Sequence, residues 1–209
     1  MGMKVDLHTH SMRSKDGGIS QKEYTYILDS KMLDCIAITD HNEIAFAKTL
    51  HKKLGSKIIV GEEIATEQGE IIGLFLKKKI SPGQSLKRTV QHIQSQEGIV
   101  YIPHPFETRR KGLTFEAMNM IVDKHTLIEA FNARSFSSKN KNRIIEYCKK
   151  HSYSYASSSD AHCRRGIGTA FSEMKSIPTN KTIVALLSNA SYKSRRAPVS
   201  AYLCPVVNR

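Results

Sequence analysis

Histidines grouped with carboxylates recur at the ends of short apolar segments in this chain of 209 residues. Asp6, His8 and His10 follow the first such segment, Asp40 and His41 the second, and Glu62 and Glu63 the third. Later, His104 follows 99–102, Glu129 and Asn132 close the segment that reaches Phe131, and Asp160 and His162 follow 155–158. Neutral imidazoles mixed with carboxylates suit borderline divalent ions such as zinc, manganese and iron, whereas magnesium and calcium sites are mostly oxygen. On an extended segment residues i and i+2 point the same way, so His8 and His10 can both reach one ion while Thr9 faces away. Adjacent Glu62 and Glu63 cannot both do so. The expected chemistry is that of a divalent-metal cluster.

Such groups act together only if the backbone carries them to one place. Strands are expected at 4–7, 35–39, 57–60, 70–76, 99–102, 126–131 and 155–158, with a further segment at 169–174. Helices are expected at 20–30, 42–54, 85–97, 115–122, 138–151 and 180–189. Ser20 with Glu23 three residues on forms a capping box, and 35–39 is a continuous apolar run of the kind covered on both faces. Regular alternation argues for a parallel sheet with helices outside it. In a closed parallel barrel the C-terminal strand ends share one face, where ligands distant in sequence converge.

The run Asp6-Leu7-His8-Thr9-His10-Ser11, with Ser14-Lys15-Asp16-Gly17 after it, resembles the first motif of the PHP superfamily (polymerase and histidinol phosphatase). Thr39-Asp40-His41-Asn42, Gly61-Glu62-Glu63, Pro103-His104-Pro105 and Ser159-Asp160-Ala161-His162 resemble its later motifs in order, and Gly166-Ile167-Gly168-Thr169 is similar to the glycine turn that follows. The resemblance covers residues 4–174. It implies an α/β fold, a distorted (β/α)7 TIM-like barrel, and a site of two or three divalent ions (Zn, Mn or Fe) that hydrolyses phosphate esters. Carried over by position, His8, His10, Glu63 and Asp160 hold one ion; Glu63 bridges to a second that also takes His104; Asp16, His41 and His162 hold a third. The chain departs from the family pattern twice. After the fifth strand it has Glu129, Asn132 and Arg134 in place of a further histidine, and Asp16 stands where many members carry histidine.

Closely spaced divalent ions lower the pKa of a shared water and neutralise phosphate oxygens, so a hydroxide can attack phosphorus in line. Asp40, His41 or a metal-bound water is expected to supply the leaving oxygen's proton. Arg134 and Arg165 are expected to grip phosphate, a task that suits the guanidinium fork. No Gly-x-Ser-x-Gly turn surrounds Ser157, Ser158 and Ser159, which read as small residues closing a strand. His51, His92, His125 and His151 read as solvated, as does the basic run Lys139, Lys141, Arg143, Lys149 and Lys150.

The 32 Lys and Arg against 19 Asp and Glu leave a formal charge of +13, a field that favours polyanionic partners. No apolar run approaches the roughly 20 residues that cross a bilayer, so no membrane association is expected. The four cysteines (Cys35, Cys148, Cys163, Cys204) show no Cys-x-x-Cys pair and are expected as buried thiols, which fits a cytoplasmic setting. Residues 1–209 are expected to form a single domain, with a C-terminal helix and basic tail at 175–209. These readings converge on a phosphoric ester hydrolase acting on a phosphorylated small molecule, a nucleotide or a nucleic-acid end. Histidinol-phosphate phosphatase and a non-catalytic metal-containing module that binds nucleic acid or a polymerase are the alternatives.

Overall fold

The computed structural model describes residues 2–135 and 139–207. Along the chain β1 (Met3–Asp6), α1 (Gln21–Asp29), β2 (Cys35–Ile38), α2 (Ala45–Leu54), β3 (Ile58–Thr66) and β4 (Gly69–Leu74) come first. α3 (Leu86–Gln94), β5 (Ile99–Ile102), α4 (Phe115–Asn119), β6 (Leu127–Asn132), α5 (Lys139–His151) and β7 (Ser154–Ser158) follow. β8 (Ala170–Met174), α6 (Ile183–Ser188), β9 (Ser191–Ser194), α7 (Val199–Tyr202) and α8 (Cys204–Val207) complete it. Helix α1 starts where its capping box places it: Ser20 Oγ accepts from Glu23 N, and Glu23 Oε2 accepts from Ser20 N at 2.8 Å. Helix α2 starts at Ala45, three residues late, because Asn42 has φ 53 and Glu43 Oε1 accepts from the amides of Ile44 and Ala45. The expected first residue of α5, Ser138, lies outside the described residues.

The strands form one sheet in the order β7-β6-β5-β4-β3-β2-β1-β8-β9, bent into a nearly closed α/β barrel as expected. It departs from an all-parallel sheet at three strands. β3 runs past Val60, pairing first with β2 through Ile58–Val60 and then antiparallel with β4 through Gly61–Thr66. β4 is also antiparallel to β5, and β8 and β9 add antiparallel outside β1. A short turn after Thr66 permits a hairpin, whereas a parallel return needs a crossover of a dozen or more residues. β7 and β8 close through side chains: Ser157 N donates to Ser172 Oγ at 3.1 Å. At the mouth the closure is backbone to backbone, with Asp160 N donating to His8 O (2.9 Å) and His10 N to Ala161 O (2.8 Å).

Period-two alternation sorts each strand between two cores. Ile36, Ile38, Val100, Ile102 and Ile128 pack outward against the helices. Cys35, Ala37, Ile59, Tyr101 and Leu127 fill the interior with Ile183 and Leu187 of α6, whose Val184 carbonyl accepts from Ser154 Oγ at the start of β7. The barrel is thus plugged at one end and polar at the other. The tail caps the sheet, with Tyr202 hydroxyl donating to Ala133 O at 3.1 Å.

One expectation needs correction. Cys163 and Cys204 are joined as a disulfide across 41 residues, leaving Cys35 and Cys148 as the buried thiols; the tail brings the pair together, which spacing alone did not reveal. Arg143 is exposed as expected, its guanidinium over the Phe106 ring at 5.0 Å. Among the described residues no helix is long and apolar enough to cross a membrane.

Candidate metal centre

The loop after β1 runs extended, and His8 and His10 point together into the mouth, their Nε2 atoms 3.1 Å apart. Glu63 Oε2 lies 3.4 Å from His8 Nε2 and 3.2 Å from His10 Nε2, and Asp160 Oδ1 lies 3.5 and 3.4 Å from them. Four donors around one ion at the usual zinc bond lengths sit at tetrahedral corners about 3.3–3.4 Å apart. The five spacings that involve His8 or His10 match that edge, so His8, His10, Glu63 and Asp160 could hold an ion. All four are buried.

Around this set, Glu63 Oε1 faces His104 Nε2 at 3.0 Å and Glu63 Oε2 faces His41 Nδ1 at 3.4 Å. Asp16 Oδ2 lies 3.4 Å from His162 Nε2, and Asp16 Oδ1 3.7 Å from His41 Nε2. His10, Asp16, His41 and His162 offer ligand atoms within 4.8 Å of one another, as do His8, His104 and Asp160. Asp16 gets there because its loop turns back on itself. A Cβ on Gly17 would lie 2.1 Å from Ser11 O, so only glycine permits that approach. Two ligand positions carry backbone strain, His104 at φ 29 and Asp160 at φ 51. Left-handed non-glycine residues cluster where surrounding structure over-determines them, and here His104 N donates to Glu129 Oε2 at 2.7 Å.

Glu129 stands behind the donors. Its Oε1 faces His8 Nδ1 at 3.1 Å and accepts from Tyr101 hydroxyl at 3.1 Å, while Oε2 also accepts from Asn132 Nδ2 at 2.8 Å. By taking Nδ1–H of His8 it turns the Nε2 lone pair toward the centre, the outer-shell role carboxylates play behind ligating histidines.

The electrostatics describe a cluster built for positive charge. Burial alone would push the His10 imidazole down, but the hydrogen bonds it donates to Asp160 and Glu63 lift it to about 9. His8 is likewise raised, its burial outweighed by Asp160, Glu63 and Glu129. Burial works against ionised Glu63 and Asp160, yet facing imidazoles hold both carboxyls well below their usual range. Burial, with His10 beside it, pushes His162 down to about 4. Glu70, at the start of β4, is pushed up to about 8 by burial and by the Glu63 charge.

The centre opens into a cavity of about 360 Å³ lined by Lys15, Arg109, Arg110, Lys111 and Arg134 as well as by the acids and imidazoles. Arg134 Nη1 lies 2.8 Å from His162 Nδ1 and 3.8 Å from Asp160 Oδ1. Two other expected residues are elsewhere. Both Asp40 oxygens accept from Ser11, from its amide at 2.6 Å and its hydroxyl at 2.5 Å, and Asp40 does not line the cavity; a carboxylate tied down on both oxygens secures the His8–Ser11 loop. Arg165 is exposed on the turn Arg164–Gly166, outside the cavity, because that turn carries its side chain outward to solvent. Glu62 faces the opposite side of β3 from Glu63 and accepts from Ile80 N at 2.9 Å. His51, His92, His125 and His151 are exposed, as expected. Sequence reasoning missed Glu70, Glu107 and Arg110; the one available signal was the run Arg109-Arg110-Lys111 just after the His104 loop. Cavities of about 400 Å³ (Lys48, Val60, Phe75) and 500 Å³ (Lys79, Ser81, His92) also exist, and neither contains a carboxylate among its described lining.

The model of the PHP domain family matches residues 6–158. An uncharacterized protein of Methanocaldococcus jannaschii is 32% identical over 188 residues, covering 86% of this chain and 73% of that protein. A two-domain protein of Bacteroides vulgatus, containing a predicted PHP-like metal-dependent phosphoesterase, superposes with TM-score 0.73 at 17% identity. That match covers 93% of this chain, which spans 65% of the longer protein. Endonuclease Q, solved with a 27-mer duplex carrying an abasic lesion at its active site, superposes with TM-score 0.66 at 15% identity over 91% of this chain and 58% of its own.

Proposed function

Because this chain belongs to the PHP domain family, we propose that it is a metal-dependent phosphoesterase that hydrolyses a phosphate ester of a nucleotide or of a nucleic-acid end. The carrying observation is the pairing of a tetrahedrally spaced donor set with a cavity lined by five Lys and Arg side chains. In this reading His8, His10, Glu63 and Asp160 hold one divalent ion, Glu63 and His104 face a second position, and Asp16, His41 and His162 hold another. When bound, such ions activate water as a nucleophile and neutralise phosphate charge. Arg134 and the Arg109–Lys111 run bind the ester's nonbridging oxygens, Arg134 through a guanidinium that can give two parallel hydrogen bonds. Glu70, which lines the cavity and is pushed up to about 8, is the group able to hold or release a proton beside the leaving oxygen.

The small cavity suits a mononucleotide or a strand terminus, being near the lower end of the size range of small-molecule sites. The +13 charge and the likeness in fold to endonuclease Q support nucleotide or nucleic-acid substrates over histidinol phosphate, whose ammonium group a positive field disfavours. The test is a panel: metal-reconstituted protein against a nucleoside monophosphate, a nucleoside bisphosphate, a short RNA and histidinol phosphate. Turnover of a nucleotide or RNA end is expected. Faster turnover of histidinol phosphate would replace the substrate class, and metal binding without any turnover would favour a binding module.

Glu129 supplies a second check. Its replacement by Gln puts an amide where His8 Nδ1, His104 N and Tyr101 hydroxyl all require an acceptor. Affinity for Mn2+ is expected to fall by about 10–100-fold, the usual effect of losing such an outer partner, as read by metal titration.

A further inference from the structure

Asp160 gives its two oxygens to different partners. Oδ1 faces His8, His10 and His162, whereas Oδ2 accepts from Arg110 Nη1 and from Asn132 Nδ2. Arg110 Nη1 also donates to Asn132 Oδ1 at 2.8 Å, and Arg110 Nε and Nη2 both donate to Glu107 Oε2. The guanidinium is therefore held inside the rim by three acceptors from three segments. Its loop is shaped for this: Lys111 has φ 49, and a Cβ on Gly112 would lie 2.3 Å from His104 O, so the chain leaving Arg110 is pressed against the His104 backbone.

A second ion between Glu63 Oε1 and His104 Nε2 would meet these two donors facing each other at 3.0 Å. The further donors on that side are His8 and Asp160, whose ligand atoms lie within 4.8 Å of that of His104, and Asn132, which shares Glu129 Oε2 with His104; His8 already serves the first set. Arg110 engages the outer oxygen of Asp160 and the amide oxygen of Asn132. A guanidinium and a divalent ion repel one another, and they compete for the same acceptors. Resting on the metal-centre reading above, we infer that Arg110 takes the place of one cation: the chain holds two divalent ions, at the His8–His10–Glu63–Asp160 and Asp16–His41–His162 sets, and the guanidinium supplies the third positive charge. Unlike an ion it cannot activate water; what it adds is fixed positive charge beside Asp160.

The test counts metal rather than turnover. Chelator-stripped protein is dialysed to equilibrium against Mn2+, and bound ion is measured by elemental mass spectrometry. Wild type is expected to hold two ions per chain. Arg110→Gln, which frees Asp160 Oδ2 and Asn132 Oδ1, is expected to hold three, and Arg110→Lys, which keeps the charge, two. A third ion in wild type, or no gain in a folded Arg110→Gln variant, overturns the inference while leaving the metal centre standing. Should the Gln variant not fold, a third ion in the Lys variant overturns it equally. Wild type that holds no ion overturns the metal-centre reading itself.

Discussion

A Glu63→Gln variant is expected to lose at least about 10³-fold in kcat/KM for phosphate-ester hydrolysis at saturating Mn2+, or about 4 kcal/mol of transition-state stabilisation. The magnitude follows from position. Glu63 Oε2 faces His8 at 3.4 Å, His10 at 3.2 Å and His41 at 3.4 Å, and Oε1 faces His104 at 3.0 Å, so one carboxylate serves every part of the centre. Glutamine keeps the volume but replaces one oxygen by an amide that can only donate. It removes the charge offsetting several cations at once. Steady-state kinetics beside a metal titration would check it. A loss below about tenfold with metal still bound would show that Glu63 is not a shared ligand.

Metal-free protein is expected to lose stability as pH rises from about 6.5 to about 9. The His10 imidazole, ordinarily near 6.5, titrates at about 9 in the fold. A group raised in this way contributes fully below its unfolded value, and the contribution fades as pH climbs through the folded one. At 1.36 kcal/mol per pKa unit the loss is bounded at about 3 kcal/mol. Glu70, raised to about 8, acts in the same direction, because the unfolded carboxyl ionises while the folded one keeps its proton; Asp6 and Glu62, both about 7, add to the lower part of the window. His162, lowered to about 4, works oppositely but only below pH 6.5. For a chain of this size the melting temperature with chelator should fall by about 5–10 °C between pH 6.5 and 9. With Mn2+ the ions take the place of the protons, and the decline should largely vanish. A flat profile in chelator would contradict the charge picture of the centre.

Much of this centre was legible in the chain because each ligand follows a short apolar strand. The His8-x-His10 spacing on extended backbone aims two imidazoles together whatever the rest of the fold does, and alternation along β3 lets only one of Glu62 and Glu63 face the mouth. The capping box at Ser20 and Glu23 is equally local. Where the sequence was silent, the deciding contacts span tens of residues. Asp40 falls beside His41 in the chain, yet Ser11 takes both its oxygens. Cys163 and Cys204 meet only because the tail folds back over the mouth. Glu129 reads as an inward residue of β6, but its service to His8 and His104 depends on strands that pair in space.

The sequence by itself determined which groups could bind cations and the α/β alternation that presents them, since both depend on residue type and on the short repeats of strand and helix. Tertiary structure alone decided that β4 turns back as a hairpin, that β1 and β7 meet at the mouth, and that Arg110 enters beside Asp160. Local propensity carries no information about which distant partner a side chain meets; that is set when backbone hydrogen bonds and buried charges are satisfied across the whole barrel.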